Sequence, residues 1–232
     1  MTDFTIFIPV YNEELILEKN IARLIDYLNK LNSKYEIIIG SNGSTDKTNE
    51  IGSRLQKQHN RLTFFSLPEK GVGKAFKKGV ELAKSDKIIS LDMDLSVEID
   101  FVEKALELFN QGNDIIIGSK QVGEQKRSFA RLFLSSGFIF LTQLLLGIHY
   151  TDYSLAAKAY KREHLLKYIG RIDHGTGYVY QMIYYAKKDN KKVIEIPVKC
   201  HDVRESRFNI VSEIFYRFFN LFKVWFNSLF RR

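Results

Sequence analysis

The feature that most constrains this chain is the alternation of short β-branched runs with segments of helical periodicity. Five runs have the composition of strands: FTIFIPV (4–10), YEIIIG (35–40), LTFFSL (62–67), KIISLD (87–92) and DIIIGS (114–119). Between them, apolar residues recur every three or four positions in 13–31, 46–58, 72–83 and 100–110, which predicts helices. Strands that alternate with helices form a mostly parallel sheet with helices on both faces, so we expect an α/β fold.

The length and composition favour one sizeable core. The chain has 232 residues, is 45% hydrophobic, and contains three prolines and no low-complexity linker. We expect a compact domain over residues 1–206 and an appendage over 207–232. With Cys200 alone there is no internal disulfide, and Cys200-His201 lacks the further ligands of a structural zinc site. The first residues resemble a strand rather than a secretory signal, so we expect a cytoplasmic protein.

Polar residues follow four of the predicted strands. In open α/β sheets, ligands bind beyond the carboxyl ends of the strands. The residues at those ends are Tyr11-Asn12-Glu13, Ser41-Asn42-Gly43-Ser44, Asp92-Met93-Asp94 and Ser119-Lys120.

Asp92-Met93-Asp94 is the most informative of these groups. Because side chains alternate along a strand, both carboxylates are predicted to point one way and Met93 the other. Two convergent carboxylates together with substrate phosphates are a usual arrangement for Mg²⁺ or Mn²⁺. Acidic turn residues also follow strands commonly, so the triplet by itself is weak support for a metal site.

Several motifs in order resemble family 2 glycosyltransferases of the GT-A (Rossmann-like) fold. They are IPVYNEE, GSNGSTDKT, KGVGKAFKKGVELA and ISLDMDLS. The segments GSK (118–120), RSFARLFLSSGFIFLTQLLLG, TDYSLAAKAYKRE and VYQMIYYAKKDNKKVIEIPV are similar to the dolichyl-phosphate mannosyl- and glucosyltransferases within that family. The resemblance implies an inverting transferase that moves a hexose from a UDP- or GDP-linked donor to a polyprenyl phosphate.

The resemblance also implies roles for the residues at the strand ends. Asp92 and Asp94 would hold Mg²⁺ or Mn²⁺ and act in catalysis. The nucleotide-sugar would contact both aspartates and also Pro9, Tyr11, Glu13, Ser41, Asn42 and Met93. Alternatively, Pro9 and Tyr11 simply end a strand, and Glu13 stabilises the N-terminus of the next helix.

The acceptor phosphate would be bound by Lys120, Arg131 and Ser135, which match positions in the lipid-phosphate branch of the family, and by Arg207, which lies near the family's serine-lysine pair. Cations and a hydroxyl form charge-assisted hydrogen bonds to a phosphate dianion. An ionised phosphate attacks without losing a proton, so a strong general base is not required. Asp152 matches a family position near the reacting sugar, although Thr151-Asp152 equally suits a turn or a helix cap.

The C-terminal segment combines positive charge with aromatic residues. The net charge is +8, and 199–232 holds seven Lys or Arg against three Asp or Glu. One helical stripe contains Val211, Ile214, Phe215, Phe218, Phe222, Trp225, Phe226 and Leu229. This pattern favours a helix in a membrane interface, although a helix packed on the domain has the same periodicity. We interpret 132–148 as a half-buried helix rather than a span, which predicts peripheral binding to the cytoplasmic face of a membrane.

Some residues depart from the family pattern. Ser41-Asn42 replaces an acidic pair, which leaves UDP and GDP donors open. The segment 153–156 lacks a glycine, and Lys158 and Ala159 replace an Arg-containing pattern. Gly71-Val72-Gly73-Lys74 fits no phosphate loop and is interpreted as a tight turn that packs a helix against the sheet. A glycan or protein acceptor and a non-catalytic nucleotide-sugar-binding relative remain alternatives, whereas nucleic-acid binding is disfavoured.

Overall fold

A single sheet organises the part of the chain that the structure describes. The computed structural model describes residues 2–120, 129–200 and 210–230, with the side chains of 129–134 and 210–214 outside that description. The strands are β1 (Phe4–Val10), β2 (Tyr35–Asn42), β3 (Leu62–Leu67), β4 (Lys87–Ser90), β5 (Ile115–Ser119), β6 (Lys158–Lys161) and β7 (Val193–Pro197). Their order is β3-β2-β1-β4-β6-β5-β7, with β6 antiparallel to its neighbours and the other pairs parallel.

Helices cover both faces of the sheet, as the alternation predicted. Along β1, Phe4, Ile6 and Ile8 enter one core cluster while Phe7 enters the other, because side chains alternate along a strand. The helices are α1 (Leu17–Leu28), α2 (Thr48–Gln58), α3 (Val72–Leu82), α4 (Phe101–Asn110), α5 (Phe129–Leu146), α6 (Arg162–Tyr168), α7 (Tyr178–Lys188) and α8 (Ile210–Phe230). Buried residues of α1 and α4 belong to the first cluster, and those of α3, α6 and α7 to the second.

The five predicted strands are present, but the sequence missed two more. β6 joins the two halves of the sheet, since it pairs with β4 on one side and β5 on the other. Its sequence, KAYK, carries a lysine at each end, and β7 carries Glu195 among apolar residues. Because charged residues interrupt these short segments, neither has the apolar pattern of a strand. Both strands are identified only by their hydrogen-bonded pairing with neighbouring strands.

Several predicted element bounds differ from the structure by a few residues, and two of these differences lie close to the strand ends where ligands are expected. β4 ends at Ser90, and the residues after it turn, with the Leu95 N–H bonded to the Asp92 carbonyl at 3.1 Å. α1 begins at Leu17 rather than at Glu13. The Glu13 N–H instead bonds the Thr48 hydroxyl at 2.7 Å, so that this segment is joined to the start of α2.

α3 packs against β1 and β2, as predicted, and its N-terminal turn around Gly71 and Gly73 also packs on the loop at His174. The His174 carbonyl accepts the N–H groups of Gly73 and Lys74 at 2.9 and 3.3 Å. A Cβ at Gly73 would lie 2.4 Å from the Asp173 carbonyl oxygen, so glycine is required for this approach. Since the His174 carbonyl accepts the N–H groups of Gly73 and Lys74, these two donors are not available to bind a phosphate.

α8 packs on the domain along one side and exposes aromatic residues along the other. Leu221 is fully buried, and the Phe218 ring meets the Phe138 ring of α5 edge-on, with 5.7 Å between centroids. The predicted stripe is therefore divided, because Phe218 and Trp225 pack inward. Large apolar side chains remain exposed on both helices: Phe140, Leu144, Phe215, Phe219, Phe222, Phe226, Leu229 and Phe230. Within the described residues, none of the helices combines the length and apolarity needed to cross a bilayer.

Candidate active site

The acidic pair lies in the turn just beyond the carboxyl end of β4. Met93 is buried in the core, whereas Asp92 and Asp94 are both half-buried, so the predicted alternation of side chains holds although the strand has ended. The Met93 carbonyl accepts a hydrogen bond from the Asn20 amide at 3.0 Å, which fixes the main chain between the two aspartates. Asp94 accepts the Ser96 N–H at 3.0 Å.

The charge state of Asp92 reflects its surroundings. Burial, followed by repulsion from the Asp94 carboxylate, raises the pKa of Asp92 to about 6. The Ala156 N–H, which donates to Asp92 Oδ2 at 3.1 Å, and the ammonium groups of Lys158 and Lys120 oppose this rise. Two carboxylates that repel each other in a partly closed site gain stability when a cation binds between them.

Asp152 shares the neighbouring cations Lys120 and Lys158 with Asp92 and is almost completely buried. Its Oδ1 accepts the N–H groups of Ser154 and Leu155 at 2.8 and 3.0 Å, which makes it the residue that organises the turn from 152 to 155. Although burial opposes ionisation, the nearby ammonium groups of Lys158 and Lys120 and these hydrogen bonds hold the pKa of Asp152 below its ordinary value. An ionised, well-bonded carboxylate is a weak base.

Lys120 follows β5 and lies beside the acidic residues. Its side chain is buried, its N–H approaches Asp152 Oδ2 at 3.4 Å, and its charge acts on both Asp92 and Asp152. The structure therefore brings one of the predicted phosphate-binding cations to the carboxylates. Ser135 is half-buried on α5, whereas the Arg131 side chain and Arg207 lie outside the described residues.

Two residues that the sequence reasoning did not place in the site complete this charge cluster. Lys158 of β6 is fully buried and forms an ion pair with Asp152 at 3.8 Å. Glu195 of β7 accepts the N–H groups of Thr151 and Asp152 at 2.8 and 3.1 Å. No clear signal in the sequence marks either residue, because the strands that carry them, β6 and β7, were not predicted.

The ends of β1 and β2 are joined by side-chain hydrogen bonds. Asn12 has a left-handed backbone conformation with φ of 55°. Its N–H donates to the Ser44 hydroxyl at 3.0 Å, and the Ser41 hydroxyl donates to the same oxygen at 2.9 Å. Lys70 places its ammonium group 3.9 Å from the centre of the Tyr11 ring. Pro9, Tyr11 and Glu13 are half-buried at this edge of the sheet, on the same side as the acidic pair.

Ser41 and Asn42, which replace the acidic pair of the resemblance, are both buried. The Asn42 amide donates to the Val10 carbonyl at 2.8 Å, and its oxygen lies 3.4 Å from the Gly71 N–H. Asn42 thus links the ends of β1 and β2 to the start of α3. A carboxylate could not make the donor bond to Val10.

The residues present fit a divalent cation that is shared with a ligand. The described part of the chain holds no cluster of three or more His, Cys, Asp or Glu with metal-site geometry, so Asp92 and Asp94 supply only part of a coordination shell. Hard cations such as Mg²⁺ and Mn²⁺ take carboxylate oxygens together with phosphate oxygens and water. The pair is suited to a metal ion carried by a diphosphate ligand.

Comparison with known proteins supports the resemblance. The sequence model described as "Glycosyl transferase family 2" matches residues 5–215. The dolichyl-phosphate beta-glucosyltransferase of Trichomonas vaginalis is 29% identical over 225 residues, which cover 90% of this chain and 69% of that protein. The dolichol-phosphate mannosyltransferase of Pyrococcus furiosus is 31% identical over 145 residues, covering 61% and 41%. An undecaprenyl-phosphate 4-deoxy-4-formamido-L-arabinose transferase of Aeromonas hydrophila is 31% identical over 160 residues, covering 68% and 48%. The chain thus spans about two thirds of the first relative and less than half of the other two.

Solved structures match the fold. Glucosyl-3-phosphoglycerate synthase from Mycobacterium tuberculosis, in complex with Mn²⁺, UDP and phosphoglyceric acid, superposes with a TM-score of 0.74 at 15% identity, covering 97% of this chain and 78% of that one. The same enzyme with Mg²⁺ and UDP gives a TM-score of 0.68 at 17% identity, covering 92% and 74%. At these identities the likeness concerns the fold, and it confirms the predicted GT-A architecture.

Proposed function

The chain belongs to glycosyl transferase family 2, and on that premise we propose that it transfers a hexose from a UDP- or GDP-linked donor to a polyprenyl phosphate at a membrane surface. The observation that carries the proposal is the half-buried Asp92 and Asp94 pair beyond β4, with the buried Lys120 close by. This arrangement combines a partial metal site with a cation for a second phosphate. In this proposal, the reaction depends on a metal ion and inverts the configuration at the anomeric carbon.

The donor lies across the carboxyl ends of β1, β2 and β4. Asp92 and Asp94 would hold a divalent cation, which would supply positive charge for the leaving diphosphate. Pro9, Tyr11 and Glu13 line the nucleotide pocket together with Ser41 and Asn42. Since Asn42 already bonds the Val10 carbonyl and Ser41 bonds the Ser44 hydroxyl, base recognition at this edge depends on main-chain groups more than on these two side chains.

The acceptor phosphate is bound by Lys120, with Arg131, Ser135 and Arg207 as the further residues of this subsite. Cations orient the phosphate oxygen toward the sugar through charge-assisted hydrogen bonds. That oxygen forms a bond to the anomeric carbon, while the bond from this carbon to the diphosphate breaks and the nucleoside diphosphate leaves. The attacking oxygen is already ionised, which agrees with the low pKa of the nearby Asp152.

The lipid acceptor accounts for the exposed aromatic face of α5 and α8. Phe215 and Phe219 are 72% and 70% exposed on α8, and Phe140 and Leu144 are exposed on α5. The two helices contact each other through Phe138 and Phe218, so their exposed residues belong to one packed unit. Exposed aromatic residues on an amphipathic helix suit the interface of a bilayer, where the lipid phosphate resides.

Transfer of radiolabelled hexose into organic-extractable lipid tests the reaction. We expect transfer from UDP-glucose or GDP-mannose to dolichyl phosphate that EDTA abolishes and that Asp94→Ala lowers at least a hundredfold. Asp100→Ala serves as the matched control, because Asp100 forms an exposed ion pair with Lys104 at 2.6 Å outside the site. Full activity of Asp94→Ala would refute the metal role, and a labelled product confined to the aqueous phase would indicate a glycan or protein acceptor instead.

Co-sedimentation with anionic lipid vesicles tests the membrane face. Phe219→Ser combined with Phe226→Ser removes two exposed aromatic side chains from α8 and should lower vesicle binding about tenfold without lowering thermal stability. Leu82→Ser, which removes a partly exposed apolar side chain from α3, is the control and should bind as the unsubstituted chain does. Equal binding by all three chains would contradict the assignment of this face.

A further inference from the structure

Lys158 occupies an unusual place for a lysine. It begins β6 in the interior of the sheet, opposite Ser90 of β4 and Ile117 of β5, and its side chain has essentially no contact with solvent. Removing an ammonium ion from water is costly unless partners replace the lost hydration. Burial accordingly lowers the pKa of Lys158, and the carboxylates of Asp152 and Asp92 oppose that change.

The partners of Lys158 are two main-chain carbonyls and one carboxylate. Its Nζ donates to the Gly118 carbonyl at 3.1 Å and to the Leu155 carbonyl at 3.0 Å, and lies 3.8 Å from Asp152 Oδ1. Gly118 is in β5, whereas Leu155 and Asp152 belong to the turn that precedes β6. The ammonium ion therefore joins the end of β5 to the segment before β6, which also bonds Asp92.

One peptide group connects this ammonium ion to Asp92. The Leu155 carbonyl that accepts from Lys158 belongs to the same peptide as the Ala156 N–H, which donates to Asp92 Oδ2 at 3.1 Å. A peptide group is planar and rotates as a unit, so fixing its carbonyl also fixes the direction of its N–H. The orientation of the Asp92 carboxylate thus depends on the hydrogen bond made by Lys158.

We propose that Lys158 is a positioning residue, whose buried ammonium ion holds the Leu155–Ala156 peptide so that Asp92 faces the metal and the donor diphosphate. The inference rests on the proposed function, in which Asp92 is a metal ligand. Lys158 itself touches neither metal nor donor. It acts through the peptide and through its charge, which offsets the carboxylate of Asp152.

Lys158→Met tests this role, with Lys161→Met as the matched control. Lys161 ends the same strand but forms a partly exposed ion pair with Asp114 at 2.8 Å. Two quantities are measured: hydrogen exchange of the Ala156 amide by NMR, and the Kd for UDP and GDP in the presence of Mn²⁺ by calorimetry. We expect Lys158→Met to speed Ala156 exchange and to weaken nucleotide binding at least tenfold each. Lys161→Met should stay within twofold of the unsubstituted chain in both.

A second pair of variants removes the risk that Lys158→Met does not fold. Without Lys158, Asp152 would be a buried charge lacking its cation, so Lys158→Met is also placed on an Asp152→Asn background and compared with Asp152→Asn alone. The double variant should again exchange the Ala156 amide faster and bind Mn²⁺-nucleotide at least tenfold more weakly. Unchanged exchange and unchanged affinity relative to the parent of either pair would overturn the positioning role.

These measurements separate this inference from the proposed function. Exchange of the Ala156 amide is read in the absence of ligand, so it reports on the peptide whether or not the chain transfers sugar. An unsubstituted chain that binds Mn²⁺-nucleotide but labels no lipid would refute the acceptor assignment and leave the role of Lys158 intact. Normal lipid labelling by Lys158→Met would refute the role of Lys158 alone.

Discussion

Replacing Asp92 with asparagine should stabilise the fold at neutral pH. The folded protein raises the pKa of Asp92 from 3.8 to about 6, mainly through burial and the Asp94 carboxylate. A carboxyl group with a raised pKa binds its proton more tightly when folded, so its ionisation opposes folding as the pH rises through this window. At about 1.4 kcal/mol per pH unit, the cost at pH 7.5 is about 3 kcal/mol, and it falls to about 0.5 kcal/mol at pH 4. Asparagine keeps an oxygen for the Ala156 N–H and carries no charge.

Urea unfolding measures this difference. The free energy of unfolding of Asp92→Asn should exceed that of the unsubstituted chain by up to about 3 kcal/mol at pH 7.5, with the gap closing toward pH 4. Mn²⁺ at a hundred times its Kd should stabilise the unsubstituted chain by about 2.7 kcal/mol and Asp92→Asn far less, since the proposed function makes Asp92 a ligand of the ion. Asp100→Asn, which alters an exposed aspartate, should show neither effect. A variant that is less stable than the unsubstituted chain at pH 7.5 would refute the reasoning that burial and repulsion strain this site.

Three further outcomes are expected, one at Asp92 and two at contacts elsewhere in the fold. In the unsubstituted chain, Mn²⁺ affinity measured by calorimetry should fall about tenfold per pH unit below about pH 6, because Asp92 must lose its proton to bind the ion. An affinity that does not change between pH 5 and 7 would argue against Asp92 as a ligand. Gly73→Ala should lower the free energy of unfolding by about 1–3 kcal/mol, because the added Cβ would lie 2.4 Å from the Asp173 carbonyl oxygen. The control Gly137→Ala on α5, whose Cβ would have no atom within 4 Å, should raise the free energy of unfolding by up to about 1 kcal/mol. Equal effects of the two substitutions would contradict the packing described. Asn42→Asp should lower the free energy of unfolding in urea by about 1–3 kcal/mol, because aspartate cannot donate a hydrogen bond to the Val10 carbonyl. An unchanged urea midpoint would show that this hydrogen bond does not contribute to stability.

The sequence was a good guide to the local parts of the fold. Five strands were predicted with at most two residues of error at an end, because long β-branched runs bury both faces in a parallel sheet and leave a continuous apolar signal. The order of motifs predicted the family and the GT-A architecture, and both are confirmed. Met93 is buried between two half-buried aspartates, as the predicted alternation requires, although β4 ends at Ser90 and a turn carries the triplet. The individual site residues and the boundary near residue 206 stay predictions.

What the sequence by itself determined was the alternation of elements and the acidic pair at a strand end, since both depend on neighbours in the chain. Only the tertiary structure decided which distant groups surround that pair. Lys158 contacts Leu155 and Asp152 nearby in the chain but also Gly118, 40 positions away, and it feels the charge of Asp92, 66 positions away; no local pattern predicts that these distant groups meet. The inward packing of Phe218 and the link from Gly73 to the loop at His174 have the same origin. Propensity and periodicity act over a few residues, whereas burial and electrostatic interactions depend on distance in space.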